Sequence, residues 1–163
     1  MSEGVARAHR GATEEAHLQA ALIDLFQHKI TFNQVLGLQI ESVVPGDVRA
    51  RFDMKPELVG HYTYGRLHGG VISAVLDAMG GLALMVGIAE RYGHENTLQV
   101  MQRFSKMGTI DLRVDFLRQG LGRHFIATAE ITRLGGRISS TLMRLFNDEG
   151  TLIATGAAAY VVA

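Results

Sequence analysis

Cysteine and tryptophan are absent from this chain, and proline occurs only twice. Without cysteine there is no disulfide, no thiolate nucleophile and no zinc–thiolate site. That absence agrees with a reducing compartment, and a cytoplasmic location is expected. With no tryptophan and so little proline, the chain offers little for stacking single-stranded nucleic acid or for polyproline docking. An excess of charge is missing too, since sixteen basic residues balance sixteen acidic ones. No bulk field points to nucleic acid or to an anionic membrane, and neither is an expected partner. The opening stretch, MSEGVARAHRGATEE, has no apolar core and does not read as a signal peptide.

Several chemistries lack their motifs. No G-x-S-x-G elbow surrounds a serine. Neither phosphate-cradling glycine pattern, G-x-x-x-x-G-K or G-x-G-x-x-G, is present. The seven histidines are scattered. His94-Glu95 begins like a zinc-protease helix, but the second histidine is missing, so no metal and no cofactor are expected.

What the chain does have is the run LHGGVISAVLDAMGGLALMVGIA, from Leu67 to Ala89. Apart from His68 it contains one ionisable residue, Asp77. A helix that is apolar on every side is normally buried. The run is long enough to cross ~30 Å of hydrocarbon. Asp77 near its centre and five glycines favour a core helix instead, and no membrane is expected. Desolvating an unpaired carboxylate costs on the order of several kcal/mol, so Asp77 must be solvated, paired or protonated. A perturbed carboxylate of this kind is a candidate catalytic group.

Around this helix the pattern is mixed. Residues 12–30 carry a helical stripe at Leu18, Leu22, Leu25 and Phe26, with Thr13 as its expected start. A strand is expected from Leu36 to Val44, then a turn at Pro45-Gly46-Asp47. The return strand alternates, with Val48, Ala50, Phe52 and Met54 on one side and Arg49, Arg51 and Asp53 on the other. Val59 to Leu67 reads as a loop, and residues 90–106 as a loop with a short helix. From Thr109 the period becomes two, placing Ile110, Leu112, Val114 and Phe116 together. Two more strands are expected to meet in a two-residue turn at Gly135-Gly136. A turn at Asn147 to Gly150 precedes a last strand from about Thr151 to Val162. The expected class is α+β: one domain over 1–163, with 1–31 as an N-terminal helical extension. Because the central helix is apolar all round, the antiparallel sheet must curl about it.

His68-Gly69-Gly70 opens the long helix, where the first amides have no partner within the helix. Glycines let a ligand approach those amides, and the helix dipole favours negative charge there. An oxyanion forming on a carbonyl would be stabilised at that point. Asp77 lies eight residues after Gly69, or ~12 Å along the axis. That is too far for both groups to serve one atom within a single subunit. If both act, the second must come from another copy of the helix, and a homo-oligomer follows. Small residues at Gly69, Gly70, Ser73, Gly80 and Gly81 share the stripe with Asp77. They suit close approach of another helix, of a ligand or of the sheet.

The string L-H-G-G-V-I-S-A-V-L-D, followed by small residues, resembles the central-helix signature of hotdog-fold acyl-CoA thioesterases of the phenylacetate-degradation type. The resemblance covers residues 32–163 in element order as well as motif. It implies a hotdog fold, assembly into dimers or tetramers, and hydrolysis of acyl-CoA, with CoA present only as part of the substrate. It implies that the Gly69 N–H polarises the thioester carbonyl. It implies that Asp77, contributed by the partner subunit, acts as base or nucleophile, and that Thr109 positions water. Where the family commonly has Asn or Gln before the motif histidine, this chain has His61 and Tyr62, and His61 is a candidate to line the site. His68, Gly70 and Ser73 are expected beside the substrate, with His68 orienting the loop rather than moving protons.

Between Arg113 and Arg144 there are six arginines and two acids. Arg118, Arg123 and Arg137 lie nearest strand ends and are expected to meet the CoA phosphates. Leu76, Met79, Leu82 and Met85 are a candidate lining for the acyl group. Two other readings use the same residues. A hydroxyacyl dehydratase would need His61 or His68 as base with Asp77, and a non-catalytic acyl-CoA-binding module would need no carboxylate at all.

Overall fold

The structure is a computed structural model, and residues 9–163 are described. Helix α1 (Ala12–Asp24) runs into a π-helical turn (Leu25–Lys29) and a short helix α2 (Thr31–Leu36). A hairpin follows, β1 (Gln39–Val44) and β2 (Asp47–Asp53). A 3₁₀ turn at Pro56–Leu58 leads to the small hairpin β3 (Val59–His61) and β4 (Arg66–Leu67). Next come the long helix α3 (Gly69–Arg91) and the short α4 (Thr97–Phe104). Four strands complete the fold: β5 (Gly108–Phe116), β6 (His124–Arg133), β7 (Ile138–Asn147) and β8 (Leu152–Val161).

Six strands form one antiparallel sheet in the order β1-β2-β6-β7-β8-β5. Helix α3 touches all six of them, which requires the sheet to bend around it. Leu76, Met79, Leu82, Leu84 and Met85 are completely buried against that concave face. On β2 and β6, Phe52 faces Phe125 in register, and the two rings stack at 5.2 Å between centroids. This is the hotdog arrangement, with α2 and α4 packed on the side of α3 that the sheet leaves open and α1 packed against α4 and β1. Helix α3 is long and apolar enough to cross a bilayer by length and composition, and most of that stretch is instead buried within the fold.

Long-range hydrogen bonds tie the N-terminal segment to the far end of α3. The Arg10 guanidinium donates to the carbonyls of Ala89, Tyr92 and Glu95, and to the Glu15 carboxylate. It therefore satisfies carbonyls at a helix C-terminus, where positive charge is favoured. Glu14 accepts from the Thr97 amide at 2.6 Å, holding α4 against α1.

Local expectations need correction in several places. Leu36 closes helix α2 and does not begin a strand; Gly37, at φ 73°, ends that helix in the left-handed region, and pairing starts at Gln39. Gly11, not Thr13, precedes the first helical residue. The Val59–Leu67 loop contains the β3–β4 hairpin. The β6–β7 turn is four residues, 134–137, rather than two, and the pairing leading into it shifts register between Ile131 and Arg133. A similar irregularity between Thr109 and Asp111 breaks the alternation of β5. Leu112 and Val114 pack against the core, whereas Ile110 and Phe116 are each 56% exposed along the sheet edge.

Candidate active site

Asp77 sits on α3 beside the β5–β8 edge of the sheet and is half-buried. Its Oδ1 accepts a hydrogen bond from Thr109 Oγ1 at 2.8 Å. It also lies 3.2 Å from the Tyr160 hydroxyl, which donates to the Asp77 carbonyl oxygen at 2.9 Å as well. Thr109 and Tyr160 are register partners across β5 and β8, which is why their side chains converge on one atom. Oδ2 has no hydrogen-bond partner among the described residues. Burial pushes the Tyr160 phenol well above its ordinary range, and the neighbouring Asp77 carboxylate adds to this, so Tyr160 keeps its proton and acts as a donor.

Gly80 makes this approach possible. A β-carbon there would fall 2.2 Å from the Tyr160 hydroxyl. For this part of the small-residue stripe, close packing of helix on sheet is the observed purpose.

The other end of the motif is equally ordered. His68 precedes the first residue of α3, and its Nδ1 accepts from the Gly70 amide at 2.8 Å. A β-carbon on Gly70 would come within 2.9 Å of that nitrogen, so the second glycine makes room for the cap. The amides of Val71 and Ile72 donate to the His68 carbonyl. Of the first four amides of the helix, only that of Gly69 has no partner among the described residues. His68 therefore orients the helix entrance, and its capping leaves one donor free.

Asp77 and Gly69 open onto different cavities. Asp77 and Thr109 line a groove of ≈ 280 Å³ between the N-terminal segment and the α4–β5 connection. Gly69 lines a more open depression of ≈ 410 Å³ with Arg66, Phe116 and Arg118. Arg118 also donates to the Leu152 carbonyl at 3.0 Å. Arg66 carries no signal in its sequence context; its guanidinium lies 5.3 Å from the centre of the Tyr64 ring.

The remaining expected residues fall elsewhere in the protomer. Ser73 Oγ donates to the Gly69 carbonyl at 3.0 Å. His61 lies on β3 beside Tyr62 and Tyr64, with ring centroids at 6.0 and 4.7 Å, and it lines neither cavity. Arg123 is paired with Asp148 at 2.8 Å. Arg137 is the last residue of the β6–β7 turn and lines neither cavity. Leu76, Met79, Leu82 and Met85 form core and no groove, because they face the sheet. The apolar lining near Asp77 comes instead from Phe26, Ile30, Phe32, Phe104 and Met107. Tyr160 has no sequence signal of its own, since only the β5–β8 register brings it to Asp77.

Comparison with known proteins bears on the family and the fold. The model of the thioesterase superfamily matches residues 64–154. A Salmonella typhimurium protein named medium/long-chain acyl-CoA thioesterase YigI is 36% identical over 139 residues, covering 85% of this chain and 90% of that protein. The Escherichia coli K12 protein of the same name is also 36% identical over 139 residues, with the same shares of each chain. The crystal structure of a Shewanella oneidensis protein related to the thioesterase superfamily superposes with a TM-score of 0.86 at 35% identity, covering 94% of this chain and 100% of that one.

Proposed function

The chain belongs to the thioesterase superfamily, and we propose that it hydrolyses acyl-CoA to a free acid and CoA at a site shared by two subunits. The observation that carries this reading is the Asp77 carboxylate, held through one oxygen by Thr109 and Tyr160 at the wall of an apolar groove. Its second oxygen is free to take a proton from water. Because the Thr109 hydroxyl gives its own proton to Asp77, its lone pairs remain available to orient that water.

Water attacks the thioester carbonyl carbon while its proton passes to Asp77 Oδ2. The tetrahedral oxyanion is held by the unpartnered Gly69 N–H at the start of α3. Collapse of this intermediate breaks the carbon–sulfur bond, and Asp77 returns the proton to the departing thiolate. Gly69 and Asp77 are ~12 Å apart along one helix, so Gly69 of one subunit works with Asp77 of the partner subunit. The exposed edge strand β5, with Ile110 and Phe116, is the surface that such an assembly would cover. Arg118 and Arg66 line the depression with Gly69, and their guanidinium groups suit the CoA phosphates. The Salmonella and Escherichia coli relatives are named as medium/long-chain acyl-CoA thioesterases, and acyl chains of that class are the substrates proposed for this chain. A cytoplasmic location goes with an acyl-CoA substrate and a cysteine-free chain.

A panel of saturated acyl-CoA thioesters, followed by release of free thiol, tests the reading. Turnover without any 3-hydroxy group is expected. Binding without turnover would support the non-catalytic module instead, and activity confined to 3-hydroxyacyl or enoyl substrates would support the dehydratase.

A further inference from the structure

Helix α3 presents only small side chains beside Asp77: Ala74, Ala78 and Gly81, one helical turn apart on the face opposite the sheet. Above them the chain departs from regular helix. At Leu25–Lys29 it makes a π-helical turn, in which the Ile30 amide donates to the Leu25 carbonyl at 3.0 Å. The Phe26 carbonyl accepts instead from the buried side chain of Asn33, at 2.9 Å. Turns of this type are often found at functional sites. In this chain the turn positions Phe26 and Ile30 over the small face of α3. Across the groove stand Phe104 and Met107. Phe26 and Phe104 meet edge to face at 5.6 Å, closing the groove over Gly81.

We infer that this groove holds the acyl chain, with the N-terminal segment as one wall and the Phe26–Phe104 pair setting the longest chain accepted. The inference rests on the thioesterase reading and adds the site of its chain-length selection. Three observations on the molecule support it. The groove is continuous with Asp77 and Thr109, so a chain lying in it has one end at the reacting groups. Apart from Asp77, Thr109, Asn33 and Tyr160, its lining is apolar or glycine. Its ≈ 280 Å³ is far more than one water needs, and its mostly apolar walls suit an alkyl chain.

Two substitutions should move selectivity in opposite directions. Ala78→Leu fills the groove next to Asp77, and Phe104→Ala opens its closed end. Each buried methylene is worth about 0.8 kcal/mol, or roughly four-fold in kcat/KM. Blocking about three methylene positions should therefore lower the ratio of long-chain to short-chain kcat/KM by roughly 60-fold in the Ala78→Leu protein. Phe104→Ala should raise that ratio and shift the preferred chain to greater length. Thermal melts identify any variant that has not folded, and Ala74→Leu replaces Ala78→Leu in that case. Folded variants that keep the wild-type ratio in both directions would overturn the inference. Failure of the wild-type protein to hydrolyse any saturated acyl-CoA would overturn the thioesterase reading itself, a result separable from an unchanged ratio in an active enzyme.

Discussion

Thr109 and Tyr160 face each other across β5 and β8, and their hydroxyls converge on the same oxygen of Asp77, at 2.8 and 3.2 Å. A hydrogen bond to a charged group contributes about 1.5–3 kcal/mol. Tyr160→Phe keeps the ring and removes that donor. Its kcat should fall about 10-fold, with KM little changed. Thr109→Val should cost a comparable amount. Because both act through one carboxylate, the double variant should lose less than the product of the two single losses. Steady-state kinetics on the four proteins measures this; simple multiplication of the effects would count against a shared role.

Gly69→Pro removes the proposed oxyanion donor with little backbone disturbance. Proline is favoured at the first helical position. His68, at φ −66° and ψ 137°, already has the extended conformation that precedes proline. Loss of one oxyanion donor costs about 10²–10³-fold in kcat. Mixing this variant with Asp77→Asn, after subunit exchange, should return up to about a quarter of wild-type activity, because half the dimers then hold one intact site of two. No recovery in a preparation shown to contain mixed dimers would place both groups in one subunit.

Arg118→Ala should raise KM for acyl-CoA more than it lowers kcat, and Arg66→Ala should act in the same direction, since both guanidinium groups share the cavity with Gly69. The effect should shrink as salt is added. Arg123→Ala and Arg137→Ala should change KM less, because neither residue lines that cavity. Initial-rate measurements at low and high ionic strength check the ranking.

Acid should loosen the N-terminal segment. Hydrogen bonding by Arg103 holds the Glu95 carboxyl below its ordinary value of 4.5. The Thr97 amide does the same for Glu14, from the same ordinary value of 4.5. A depressed folded-state pKa contributes stability that is fully present above the unfolded value and is lost as pH falls through the folded one. Wild-type protein should therefore lose melting temperature below about pH 4.5, as protons bind these carboxylates. Glu95→Gln should be less stable at neutral pH and should show a smaller further loss in acid. Parallel pH profiles for the two proteins would contradict this assignment.

Some features of the fold are readable in the sequence and others are hidden. Helix α3 is legible because so long an apolar run, with one carboxylate and a glycine pair at its start, fits few environments. The alternation of β2 predicts its buried face, since Val48, Ala50 and Phe52 all point into the core. Helix α2 is not legible because six residues carry too little periodicity to register, although Gly37 marks its end. Tyr160 is invisible for a different reason. Its role depends on strand register and on contact with a residue 83 positions away, and neither leaves a local pattern. The face of α3 that lines the groove is easily misjudged because large apolar residues draw attention away from small ones. Leu76 and Met79 fill the core, while Ala74, Ala78 and Gly81 leave the space.

Replacement of Asp77 by asparagine tests the central claim most directly. Asparagine preserves size and hydrogen-bonding capacity but cannot take a proton from water. A general base contributes ~10²–10⁴-fold, so kcat for thiol release should fall by about that factor while the melting temperature stays near that of the wild type. Asp77→Ala should lose activity to a similar extent. If instead Asp77→Asn keeps more than about a third of wild-type kcat, and Asp77→Ala mainly loses stability by roughly 1–3 kcal/mol, Asp77 is a structural carboxylate and water attack does not depend on it as a base.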